Sequence, residues 1–126
     1  MTASDDLRDL ARYFRGGAER MERAVKPTVV KAAVNVKTDA VRNLRAQSSG
    51  RSLHRLPAAI GYDITAGGLG AEIGPDQAVS GLGVGVELGS RNHAPMPFLF
   101  PASDVEEPRF ESAVAKAAVD AWSKLP

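Results

Sequence analysis

Residues 18–46 read AERMERAVKPTVVKAAVNVKTDAVRNLRA. Within them Met21, Val25, Val29, Ala32, Val36, Ala40 and Leu44 recur every three or four residues, the repeat that lines side chains along one face of an α-helix. Lysines and arginines occupy much of the rest, so the stretch predicts one long amphipathic helix with a partner along its apolar side. Pro27 lacks an amide hydrogen and its ring clashes with the carbonyl four residues back, so a kink or the true start of the helix is expected there. Unbroken, the stretch would be ~43 Å long. A compact domain of this chain length is only ~36 Å across. Either Pro27 divides the helix, or part of it projects towards another chain.

Towards the N-terminus, Leu7, Leu10, Ala11 and Phe14 fall at helical spacing, with Ser4 placed as an N-cap and Gly16-Gly17 as a stop. A short helix within residues 1–17 is therefore expected ahead of the long one. Downstream, residues 47–52 (QSSGRS) are polar and contain glycine, which predicts a loop. Leu53, Leu56, Ala59 and Ile60 suggest a helical turn or the start of a strand. The period then changes to two. Ile60, Tyr62 and Ile64 alternate with Gly61, Asp63 and Thr65, and Leu69, Ala71 and Ile73 alternate with Gly70 and Glu72 across a turn at Gly67-Gly68. That is a β-hairpin, ended by Pro75-Asp76. Val84, Val86 and Leu88, set against Gly83, Gly85 and Glu87, predict a third strand and extend the expected sheet over residues 60–90.

Residues 94–101 (APMPFLFP) hold three of the eight prolines and two of the four phenylalanines. Proline keeps such a run out of a sheet interior, while Phe98, Leu99 and Phe100 need burial. Residues 91–102 are thus expected to dock into a groove, in the same domain or on a neighbour. Ser103 and Glu106 have the spacing of a capping box, with Pro108 tolerable in the first turn. A closing helix over 103–126 follows, striped by Phe110, Val114, Ala117, Ala118, Ala121, Trp122 and Leu125. The fold class expected is α+β, a single domain over 1–126 with long N-terminal and C-terminal helices on a small, mostly antiparallel sheet.

Composition narrows the function classes. With 44% hydrophobic and 25% charged residues the chain is an ordinary globular protein, without a membrane span or a basic and apolar leader. It reads as unprocessed and intracellular. Cysteine is absent, which removes disulfides, thiolate nucleophiles and Cys-based zinc sites. His54 and His93 are far apart, neither with a second ligand at helical spacing, and the serines near His54 carry no nucleophile-elbow motif. The acid pairs Asp5-Asp6 and Glu106-Glu107 sit near expected helix starts, where they answer the helix dipole. Gly81-Leu82-Gly83-Val84-Gly85 has its third glycine one residue early for a dinucleotide fingerprint, and no P-loop lysine follows. No enzyme, metal, cofactor or small-molecule substrate is expected.

The net charge of +1 conceals a division. Residues 1–57 carry twelve basic against six acidic side chains, a net +6, and the remainder four against nine, a net −5. Such a chain can mate head-to-tail with copies of itself. Its basic helix from Arg20 to Arg45 is also the candidate for DNA contact, although no stacking aromatics or recognised DNA-binding motif accompany it.

The order of these features resembles the gene-product-ten-like family of neck or tail-completion proteins of lambda-like, long-tailed bacteriophages. The residues that carry the resemblance are Ser49-Gly50 with Leu53, the hairpin over 60–73, Val86-Glu87-Leu88-Gly89-Ser90, and Pro97-Phe98-Leu99-Phe100-Pro101-Ala102. It covers most of residues 28–120. The chain departs from the family's pattern at Ala46-Gln47-Ser48, where Ala-Pro is usual, and at Leu82-Gly83, where Tyr-Ala is usual. The resemblance implies a ring subunit at the head-tail junction, a hexamer first and a dodecamer as the other count, joining tail to capsid around the DNA channel. Its partners would be itself and adjacent neck or tail proteins, with DNA passing transiently; its places would be the host cytoplasm during assembly and then the virion. A tail terminator ring is the nearest alternative, and a small DNA-binding protein the alternative of another class. Inter-subunit or inter-ring contacts are expected at Ser49, Gly50, Leu53, Glu87, Gly89, Arg91, Pro97, Phe98, Leu99 and Phe100.

Overall fold

The computed structural model describes residues 2–47, 55–76, 80–89, 91, 95 and 97–123. Its first element, α1, is one helix over Ala3–Gln47, 45 residues and so about 67 Å long. Thr2, not Ser4, caps it: the Thr2 hydroxyl accepts from the Asp5 amide at 3.2 Å, and the Asp5 carboxylate accepts in return from the Thr2 amide at 3.2 Å. Val29, Ala33, Val36, Ala40 and Leu44 form its buried seam.

Two expected breaks in α1 are corrected. The helix passes through Gly16-Gly17, so there is no separate element over 1–17. Packing explains this, because a Cβ on Gly17 would overlap the Trp122 ring; the glycine is a notch that lets the last helix lie close. Tyr13 and Phe14 complete the contact, with ring centroids 5.9 and 5.8 Å from that of Trp122. The helix also continues through Pro27, which is exposed. The carbonyl that proline leaves without its helical donor belongs to Arg23, which is exposed as well.

A short helix, α2 (Arg55–Ala59), leads into strand β1 (Ile60–Thr65), which pairs antiparallel with β2 (Gly70–Pro75). Tyr62 stands opposite Ile73, and Ile64 opposite Ala71, as the alternation predicts. The connecting turn takes positive φ at Ala66, Gly67 and Gly68 (50°, 64° and 103°), which only the glycines adopt without strain. A two-stranded sheet is marginal by itself. Here its inner face rests on α1, with Ile60 in the core and the Lys37 ammonium 6.0 Å from the Tyr62 ring centre.

The third strand expected within 60–90 is instead a helix, α3 (Ser80–Leu88). Alternation of glycine with valine has period two, yet Gly83, Val86 and Glu87 also stand three and four residues apart, and those three are buried. A Cβ on Gly83 would press on the Pro75 ring at 2.6 Å, so this glycine serves a close approach between α3 and β2. The final helix, α4 (Leu99–Ser123), starts four residues before Ser103. Ser103 and Glu106 therefore lie within the helix and do not cap it. The segment expected to be extended over 91–102 is helical from Leu99 onward, and Pro101 sits in the first turn, where its missing amide costs nothing.

Helix α4 runs antiparallel along α1, from Phe98 beside Asn43, through Glu106 beside Asn35, to Trp122 at Gly17. The fold is α+β. One core joins all the layers, made of Val36, Ala40, Leu44, Leu56, Ile60, Val86, Phe98 and Ala102. No helix among the described residues is long and apolar enough to cross a membrane.

Candidate functional site

The two motifs Val86-Glu87-Leu88-Gly89 and Pro97-Phe98-Leu99-Phe100 meet through a single carboxylate. Glu87, buried on the inner side of α3, accepts hydrogen bonds from the backbone amides of Phe98 (2.6 Å), Leu99 (2.9 Å) and Phe100 (2.8 Å). These are amides at the start of α4, which have no partner within the helix and carry the positive end of its dipole. Glu87 thus caps α4 from eleven to thirteen residues away. The capping group stands outside the local sequence, which is why the helix can begin before its apparent capping box.

Carbonyls of the same segment are held from the other side. Asn43 of α1 donates to the Phe98 carbonyl at 3.2 Å, and Gln47 donates to the Pro97 carbonyl at 2.6 Å. Residues 97–100 are therefore clamped between α3 and the C-terminal end of α1, amides towards one and carbonyls towards the other. Gly89 permits the turn out of α3: its φ is +83°, and a Cβ there would strike Pro95 at 2.8 Å.

The clamp sorts the candidate contact residues. Phe98 is 1% exposed and belongs to the chain's own core, Leu99 is half-buried against it, and Glu87 is buried. Phe100 is 59% exposed, Pro97 and Arg91 are exposed, and Val84 and Leu88 stand out from the solvent side of α3. Ser49, Gly50 and Leu53, like the two histidines, lie outside the described residues. The structure brings Glu87 together with Phe98, Leu99 and Phe100.

A second feature lies farther along α4. A groove of about 280 Å³ opens between α1 (Val29, Ala33), β2 (Ala71, Ile73) and α4 (Glu106, Phe110). Its walls are largely apolar. Glu106, 5% exposed, accepts from Asn35 at 3.0 Å through one oxygen; the other is buried without a hydrogen bond, with the Arg109 guanidinium 3.9 Å away. Glu107, also lining the groove, is exposed and in no ion pair among the described residues. Asn35, Asn43 and Gln47 were not singled out from the sequence, although a signal existed: they fall four or eight residues apart, a polar row beside an apolar seam.

Among the described residues no three His, Asp or Glu side chains gather as they would around a metal ion. Glu87 accepts from three backbone amides and anchors the start of a helix. No family model, no curated protein and no solved structure matches this chain.

Proposed function

We propose that the chain is a structural subunit of a ring at the head-tail junction of a long-tailed bacteriophage, where it helps join tail to capsid around the DNA channel. The observation that carries this reading is the Glu87 clamp. It ties two of the motifs that carry the family resemblance to one another, directs Phe98 inward, and leaves Phe100 at the surface. An exposed aromatic on a backbone fixed from both sides is well suited to docking, because little conformational freedom is lost when a partner covers it. Val84 and Leu88, exposed on the helix that supplies the clamp, add apolar surface on α3.

The test is substitution at the exposed position. Phe100→Asp leaves the core untouched, so the purified variant is expected to keep its melting temperature. In a phage carrying it, full heads and finished tails are expected to accumulate unjoined. Normal yields of tailed particles from the variant would count against the reading.

A further inference from the structure

Strand β1 keeps an edge that no described residue occupies. The strand register and the bond from the Asp76 amide to the Ala59 carbonyl (3.0 Å) fix the ladder: Gly61 with Gly74, Asp63 with Glu72 and Thr65 with Gly70 exchange hydrogen bonds across the hairpin. The amides and carbonyls of Tyr62 and Ile64 therefore point away from β2, and no described residue bonds them. The corresponding edge of β2 is blunted. Pro75 has no amide to offer and lies against Gly83 of α3, while Ala71 and Ile73 line the groove shared with α4.

The two sides of the β1 edge differ in chemistry. On the inner side, Lys26 at Gly68 and Lys37 at Tyr62 mark where α1 meets the hairpin. At ~100° per residue, Val30 and Val34 come next round the helix, away from Asn35 and Asn43 and thus from α4. Both valines are exposed, and so is Ile64. On the outer side, Asp63 stands directly opposite Glu72, both exposed and neither in an ion pair among the described residues. Like charges so placed repel. Gly61 and Gly74 have open space where a Cβ would stand, and a depression of about 570 Å³ lies beside the two carboxylates, with room for a long side chain.

We infer that the free edge of β1 takes up an extended segment of another protein, in which apolar residues alternate with lysine or arginine. The segment's backbone bonds the outward groups of Tyr62 and Ile64. Its side chains then alternate between the two sides of the sheet, so apolar ones cover Val30, Val34 and Ile64 while the basic one between them reaches Asp63 and Glu72. A second copy of β1 is the wrong occupant. Two hairpins joined edge to edge would gather two Asp63 and two Glu72 carboxylates on one face. The inference stands apart from the ring reading.

The test uses the full chain, isotope-labelled for amide hydrogen exchange, and two synthetic peptides, one alternating valine with lysine and one alternating valine with glutamate. In the free chain the amides of Tyr62 and Ile64 are expected to exchange fast, and those of Gly61 and Asp63, bonded to β2, slowly. The lysine peptide is expected to slow the first two and to bind at least tenfold more tightly than the glutamate peptide. Asp63→Lys/Glu72→Lys, confined to the outer side, is expected to reverse that preference. Absence of binding, equal binding of the two peptides, or binding of the lysine peptide without protection of Tyr62 and Ile64 would each overturn the inference. Protection of these two amides in the chain alone, growing with its concentration, would overturn it in favour of a second copy on the edge.

Discussion

Replacing Glu87 by alanine removes the acceptor for three amides at once, two of them in a half-buried setting and one buried. Unsatisfied amides at a helix start, together with the lost charge-dipole attraction, cost about 3 kcal/mol. Urea unfolding of Glu87→Ala should show that loss, and an unchanged midpoint would contradict the capping role. Phe98 and Phe100, two residues apart, should behave differently for a packing reason. Phe98→Ala empties a fully buried site beside Leu44, Leu56 and Val86 and should cost ~3–5 kcal/mol in the same measurement. Phe100→Ala removes a side chain that is mostly in water and should change stability by less than ~0.5 kcal/mol.

At the scale of elements, the readable parts were those whose pattern and local chemistry agree. The hairpin is an example: strict alternation, two glycines in the turn and Pro75 at the end all specify one register, and Tyr62 stands opposite Ile73 accordingly. The long helix was legible from its apolar repeat, but its ends were not. Gly16-Gly17 looks like a terminator until Trp122 is placed against it, and that contact spans more than a hundred residues. Helix α3 was misread because a glycine-valine alternation satisfies both a strand period and the Gly83-Val86-Glu87 spacing of a helix. Propensity also argued against a helix, since each glycine costs ~1 kcal/mol relative to alanine. Only the burial of Val86 and the reach of Glu87 to α4 decide the matter. Glu87 and Gly89 were among the candidate site residues, but the amides they serve could not be seen from the sequence, since the cap comes from another element. Val84 tests the assignment. On the exposed side of a helix, Val84→Ala should stabilise by ~0.5 kcal/mol through helix propensity, whereas in a strand the same change would destabilise. A thermal melt of the variant reads the sign.

For the whole molecule, the layers have unequal reach. The clamp, the hairpin and the core gather around the C-terminal half of α1, while the N-terminal turns of that helix extend past Trp122. A helix of about 67 Å in a chain of this size leaves Leu7 and Leu10 exposed, beyond the described part of α4. The exposed Phe100 and the exposed Leu7 and Leu10 lie at opposite ends of the long helix, so the ring subunit proposed above would have two separate apolar surfaces to offer. The measurement that bears most directly on this is an image of the complete virion at a resolution that shows helices. The account predicts a closed ring at the head-tail junction, each subunit fitted by α1 with α4 antiparallel to it. Tailed particles whose neck and tail contain no density matching this helix pair would contradict it.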